Sequence, residues 1–242
     1  MQLCGVIAEC GNHALGSVES AKEQIRVARE CGATYAKFQA IDTEAFTGGS
    51  MTPAFYELCD LGYARYLELV AYGDELGIPV FFSVFGPKYA ALARIKGKPY
   101  KIAGSQFEKM PLPELAAWNE QTEHPVVVSV PHTEESVIRE RREALSHMSV
   151  MYVVNYLPDQ VTFFSLERLR RILNQPIGYS CHAAGVDHAI EAIAEHGAPL
   201  VEKHFNLWGD QTYDGRIYRD SLHAASPKEL ERLCSFYHAH SR

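Results

Sequence analysis

Pro176-Ile-Gly-Tyr-Ser-Cys-His182 and Pro199-Leu-Val-Glu-Lys-His-Phe205 decide how the chain is read. Each is a short apolar run that ends in polar residues including a histidine. Between them Val186 to Glu195 has the apolar spacing of an amphipathic helix, closed by Gly197. A strand–helix–strand unit joins parallel neighbours, which brings His182 and His204 to one edge of a parallel sheet. Taken singly, each histidine reads as a core or rim residue. Paired on adjacent strand ends they form a candidate metal site, suited to a divalent transition metal acting as a Lewis acid beside water and substrate oxygens.

Outward from this unit the same pattern recurs. Leu3 to Glu9 is a strand, followed by the polar loop Cys10 to Gly16 and a helix from about Ser20, where Ser20-Ala-Lys-Glu23 has the form of a capping box. Thr34 to Gln39 is the second strand. A Gly-, Thr- and Ser-rich loop, Thr43 to Pro53, leads to a helix over Ala54 to Leu76. Further strands are expected at Gly77 to Phe85, Pro99 to Ala103, Pro125 to Val130, Val150 to Asn155, Ile177 to Ser180 and Leu200 to Phe205. Helices are expected at Pro87 to Ile95, Leu112 to Glu120, Thr133 to Leu145 and Ser165 to Leu173. Ser226-Pro-Lys-Glu229, a capping box with proline at the first helical position, opens the last helix. Eight strands alternating with eight helices, with apolar runs continuous rather than alternating, predict a single α/β domain over residues 1–242, a closed (β/α)₈ TIM barrel.

The formal charge of −7 excludes a general affinity for nucleic acid or acidic membrane surfaces. The opening Met1 to Glu9 carries no basic leader, and no stretch reaches the roughly 18 apolar residues of a membrane span; the expected location is cytoplasmic. Six cysteines are scattered without a C-x-x-C pair and read as buried thiols. Cys181, beside His182, is open to either packing or chemistry.

In a barrel of this kind the active site lies at the C-terminal ends of the strands. The polar residues there are Glu9, Lys37, Gln39, Ser83, Lys101, Ser105, Gln106, Ser129, Asn155, Tyr156, Ser180, His182, Lys203 and His204. A lysine within a strand pattern is rarely mere core, because an unpaired buried ammonium is costly. Lys37 and Lys101 with Ser83, Ser129 and Ser180 make a phosphate cradle of charge and hydroxyl donors. His13, His124, His132, His188, His196 and His223 read as solvent or loop residues. There is no glycine-rich phosphate loop and no H-E-x-x-H, and Gly178-Tyr-Ser-Cys-His182 lacks the closing glycine of a nucleophile elbow.

Taken together, Ile7-Ala-Glu-Cys-Gly-Asn12, Lys37-Phe-Gln39, Tyr100-Lys-Ile-Ala103, Gly178-Tyr-Ser-Cys-His182, Glu202-Lys-His-Phe205 and the stretch Asp220 to Pro227 resemble the sialic acid synthase family. Its members condense phosphoenolpyruvate with an N-acetylated hexosamine-type sugar. The resemblance implies a (β/α)₈ barrel and a manganese-type divalent ion held by His182 and His204. It implies a phosphoenolpyruvate site built from Lys37, Ser83, Lys101, Ser129 and Ser180, with Gln39 and Gln106 beside it, and Glu9, Tyr156 and Asp220 facing the sugar or the reacting centre.

The chain also departs from the family pattern. Ala14 stands at the usual histidine position, Ile102-Ala-Gly-Ser-Gln106 replaces Ile-Ala-Ser-Gly-Glu, Cys181 and Ala183 replace Asp and Thr, and Ser221 replaces a histidine. The antifreeze-like C-terminal domain of most members has no counterpart before Arg242. The expectation is a metal-assisted condensation of phosphoenolpyruvate with a different aldehyde or sugar-like acceptor, releasing phosphate and a 2-keto acid, with a homodimer left open. Two alternatives stand beside it: a metal-dependent barrel aldolase or isomerase that uses no phosphoenolpyruvate, and a non-catalytic relative that binds it.

Overall fold

The computed structural model describes residues 2–46, 49–120, 124–154 and 163–240. Its centre is a closed barrel of eight parallel strands in sequential order. They are β1 (Gly5–Gly11), β2 (Tyr35–Ile41), β3 (Val80–Phe85), β4 (Tyr100–Ile102), β5 (Val126–Val130), β6 (Ser149–Val153), β7 (Gly178–Cys181) and β8 (Leu200–His204), and β8 pairs with β1 to close the ring. The expected fold is therefore the observed one. Among the described residues no helix is long and apolar enough to cross a membrane.

Helices between the strands cover the outside: α1 (Val18–Glu30), α2 (Pro53–Cys59), α3 (Tyr63–Leu76), α4 (Gly104–Phe107), α5 (Leu112–Asn119), α6 (Glu135–Glu140), α7 (Phe164–Leu173), α8 (Asp187–Ala194), α9 (Arg219–Leu222) and α10 (Pro227–His240). Two expectations are corrected by local chemistry, and a third element, the expected short helix at Pro87 to Ile95, forms in a tighter winding. The cap of α1 is Ser17, whose hydroxyl accepts from Ser20 N at 3.1 Å, so the Ser20 capping box lies inside the helix. The helix expected over 54–76 is split into α2 and α3, because the Asp60 carboxylate accepts from Gly62 N at 2.9 Å and Gly62 takes φ +77°, a turn that stops one helix and starts the next. Pro87–Arg94 is 3₁₀ rather than α-helical. At α10 the expected box forms, with Ser226 N donating to Glu229 at 2.8 Å and Glu229 N to Ser226 at 3.4 Å.

The strands have two unlike faces, set by the two-residue period of a β-strand. Outward residues such as Val6, Ala8, Phe38, Phe82, Val128, Tyr179 and Val201 pack with the helices into the main core. Inward, Ile7, Phe81, Val127, Met151 and Leu200 join Leu3 and Tyr35 in a separate apolar plug that fills the barrel. Two residues further along each strand the inward positions turn polar: Glu9 after Ile7, Lys37 after Tyr35, Ser83 after Phe81, Ser129 after Val127, Ser180 after Gly178 and Glu202 after Leu200. Cys181 and Lys203 fall on the outward face, and Cys181 is a buried core thiol. Its position beside His182 is a matter of packing.

Gly178 sits where β7 runs closest to its neighbours. A Cβ there would meet the Leu200 carbonyl oxygen at 2.4 Å and Met151 Cγ at 3.2 Å. A backbone oxygen cannot swing aside as a side chain would. Gly178→Ala is expected to destabilise the barrel by about 1–3 kcal/mol, read as a lower urea midpoint with an unchanged slope.

Candidate active site

Strand register sets the polar layer directly above the plug. Glu9 pairs in register with Lys37 on one side and His204 on the other, Gln39 with Ser83, Ser83 with Lys101, and Ser180 with Glu202. A β-bulge between Glu9 and Gly11 lets Gly11 N donate to Glu9 Oε1 at 2.8 Å, which holds the carboxylate over the barrel axis.

Four charges share this layer. Lys37 Nζ donates to Glu9 Oε2 and, at 3.0 Å, to Ser83 Oγ, and lies 3.5 Å from Glu202 Oε2. Lys101 Nζ donates to both Glu202 oxygens at 3.0 Å, and Ser180 Oγ donates to Glu202 Oε1 at 2.9 Å. All of these side chains are buried. Burial acts on each, and the neighbours decide the outcome. Burial raises the Glu202 carboxyl, but the Lys101 and Lys37 ammoniums outweigh it and hold the group at about 2. Glu9, with one strong cationic partner, is pushed up to about 7 by burial. Burial opposes the Lys37 charge too, but Glu202 and Glu9 together keep it above the usual ammonium value, while for Lys101 burial prevails and lowers it.

Next to this quartet stand three histidines. The rings of His182 and His204 lie 5.1 Å apart, His182 and His223 5.2 Å, and His204 and His223 5.3 Å. One ring nitrogen from each falls within 4.8 Å of the other two. His13 packs edge-on against His204 at 6.0 Å. Burial holds His182 at about 4, His223 at about 3 and His204 well below the ordinary value, so all three present neutral imidazoles. His204 Nδ1 and His223 Nε2 are buried with no hydrogen-bond partner among the described residues. Neutral, converging nitrogens of this kind fit a divalent transition metal.

One cavity of about 690 Å³ opens onto the layer, and its wall includes Glu9, Lys37, Gln39, Ser83, Lys101, Gln106, Ser129, Ser180, His182, His204 and Asp220. The described site residues expected from the sequence are thus brought to one space, except Lys203, which points outward from β8; Asn155 and Tyr156 lie outside the described residues. The side chains differ in what they have free. Ser129 Oγ is buried with no hydrogen-bond partner among the described residues. Gln39 accepts from Asn12 Nδ2 at 2.8 Å. Gln106 is engaged structurally, accepting from Ala103 N at 3.0 Å and donating to the Val84 carbonyl at 2.6 Å. Asp220 accepts from the buried Tyr218 hydroxyl at 2.9 Å and stands 3.8 Å from His223 Nε2.

Three residues escape a reading by strand ends. Glu202 is central to the charge layer, and its signal was its two-residue spacing from His204, which puts both on the inward face. His13 and His223 do not lie in solvent: His13 is buried, and the His223 side chain is only 12% exposed. Their loops carry no periodicity from which this could be read.

Glu202 is the counter-ion of two lysines, and removing one member of a buried pair typically costs about 3–5 kcal/mol. Glu202→Gln is expected to lose stability in that range at neutral pH. Because the folded group sits at about 2 against an ordinary 4.5, its stabilisation is present above pH 4.5 and is lost as pH falls toward 2. The difference between wild type and variant in urea melts should therefore shrink over that window.

The NeuB family model matches residues 24–241. Among named relatives, N-acetylneuraminate-9-phosphate synthase of Homo sapiens is 25% identical over 254 residues, covering 95% of this chain and 68% of that protein. N,N'-diacetyllegionaminic acid synthase of Campylobacter jejuni is 24% identical over 257 residues, covering 95% of this chain and 74% of that protein. The solved N-acetylneuraminic acid synthetase of Leptospira borgpetersenii, in complex with citrate, superposes with a TM-score of 0.81 at 24% identity, over 98% of this chain and 83% of that one. A family match that runs from within α1 to the end of α10, and so takes in seven of the eight barrel strands, makes this chain a member of the NeuB family.

Proposed function

We propose that the protein condenses phosphoenolpyruvate with an aldehyde-bearing, sugar-like acceptor to give a 2-keto acid and inorganic phosphate. The observation that carries this reading is the meeting, in one cavity, of two buried lysines and three serine hydroxyls with a histidine pair. Lysine charge and hydroxyl donors answer a phosphate ester, and the Ser129 hydroxyl, without a partner among the described residues, is a donor that one could use. Relatives named as sialic and legionaminic acid synthases support the class of reaction.

In this reading C3 of phosphoenolpyruvate bonds to the aldehyde carbon, whose oxygen takes a proton. Water adds at C2, and the tetrahedral adduct expels phosphate as the keto group forms. A divalent ion such as Mn²⁺ on His182 and His204 supplies Lewis-acid polarisation of the aldehyde oxygen. Lys37 and Lys101 neutralise the phosphate and carboxylate of the substrate. Glu9, titrating near 7, is poised to accept and return a proton at C2 or its attacking water. Asp220 lies on the cavity wall where the acceptor approaches. The acceptor differs from an N-acetylhexosamine, since Gln106 replaces a carboxylate and spends its amide on α4 and β3.

The test is phosphate release on mixing the protein with phosphoenolpyruvate, Mn²⁺ and a panel of aldoses and sugar-like aldehydes, with His204→Ala as the blank. Conversion of the aldose without phosphate release would instead identify an aldolase or isomerase. Lys101→Ala should weaken phosphoenolpyruvate binding about 10- to 100-fold, the worth of a hydrogen bond to a charged group; unchanged affinity would remove Lys101 from the site. Glu9 is largely ionised at pH 8, and an arriving phosphate raises its proton affinity further. Binding at that pH is therefore expected to take up a proton, measurable by calorimetry in buffers of different ionisation enthalpy, and Glu9→Gln should abolish the uptake.

A further inference from the structure

We propose that His223 is a third protein ligand to the metal, so that the site is a three-histidine centre favouring an ion such as Zn²⁺ or Co²⁺ over Mn²⁺. This rests on the metal-holding role proposed for His182 and His204 and deepens it. The three rings form a nearly equilateral triangle, with centroids 5.1, 5.2 and 5.3 Å apart, and each contributes a nitrogen to a cluster no wider than 4.8 Å. His223 Nε2 and His204 Nδ1 are buried without hydrogen-bond partners among the described residues, and an imidazole nitrogen in that condition is either a cost to the fold or a ligand.

The position of His223 is held by a device whose own cost argues for its use. Lys203, fully buried on the outward face of β8, donates to the Ala183 carbonyl at 2.5 Å and the His223 carbonyl at 2.6 Å. It is the chain neighbour of His204, and Ala183 is the chain neighbour of His182. One ammonium therefore ties together the backbone at all three histidines, although burying it on neutral carbonyls is expensive. The main chain adds to this: Ala225 N donates to the His204 carbonyl at 2.6 Å, Asn206 N donates to the Ala225 carbonyl at 3.1 Å, and Phe205 and Ala225 form a parallel bridge. The segment bearing His223 is in effect a continuation of the sheet past the end of β8.

A third imidazole changes which ion is held. For nitrogen-rich sites affinity rises from Mn²⁺ toward Co²⁺ and Zn²⁺, whereas manganese suits oxygen donors better. Three protein ligands also leave coordination positions for a substrate oxygen, the usual pattern of a catalytic zinc site. His182 and His204 line the cavity as well, so an ion on this cluster borders the substrate space.

The test is binding of the metal alone to the full-length chain after chelator treatment. Co²⁺ is titrated by its visible absorption, Zn²⁺ by competition with Co²⁺, and Mn²⁺ by loss of the free-ion paramagnetic resonance signal. His223→Ala should weaken Co²⁺ and Zn²⁺ at least about 10-fold, since even loss of an outer-shell partner costs 10- to 100-fold. It should also shift the Co²⁺ bands and reduce the preference for Zn²⁺ over Mn²⁺. Unchanged affinity and spectrum in His223→Ala, with binding abolished in His182→Ala and His204→Ala, would overturn the third ligand while leaving the two-histidine site intact. Wild-type protein that binds no divalent ion would overturn both. Pulsed resonance on Cu²⁺-loaded wild type counts coordinated imidazoles without any substitution: three supports the proposal, and two overturns it even if the variant fails to fold.

Discussion

The rest of the site depends on one arrangement, the Glu202 carboxylate held between two lysine ammoniums inside the barrel. An ammonium cannot be buried alone, and Lys37 and Lys101 both project into a space walled by β-strands above an apolar plug. Glu202 bonds Lys101 through both oxygens, approaches Lys37 at 3.5 Å and takes a further hydrogen bond from Ser180. With this neutralisation in place the barrel can store two positive charges where a phosphate ester would be received. The same carboxylate leaves Glu9 as the second acid of the layer, and burial then moves Glu9 into the pH range in which it can exchange a proton.

The division of labour follows from the pleat. Ile7 and Glu9, Phe81 and Ser83, Val127 and Ser129, and Leu200 and Glu202 are each two residues apart on one strand face. The lower member of each pair closes the barrel with hydrocarbon, and the upper member carries polar chemistry. Parallel strands in sequential order then place residues far apart in the chain at one height, so no loop is needed to assemble the charge layer.

This explains what could be read in the sequence and what could not. The barrel was legible because eight apolar runs recur with helical segments between them, and most of the cavity wall was legible because polar residues at strand ends of such a fold converge. Glu202 sits one inward period below His204, beneath the strand terminus where convergence at the barrel mouth is expected. His223 and His13 read as solvent or loop residues; both do lie in loops, but loops without a repeating pattern give no sign that the side chains are buried. Their burial comes from tertiary contacts, His223 through the Lys203 ammonium and His13 through hydrogen bonds to Gln211. The split between α2 and α3 turned on a single Asp60 side-chain bond that competes with helix continuation.

The pairing of β1 with β8 sets Glu9 beside His204 across the line where the ring shuts. Glu9 thus lies on the first strand of the barrel and His204 on the eighth. The charge layer depends on that line, because Lys37 on β2 comes within 3.5 Å of Glu202 on β8 only with β1 seated between the two strands. The two halves of the site therefore differ in what they need: the charge layer needs the closed ring, and the histidine cluster needs only β7, β8 and the segment that follows.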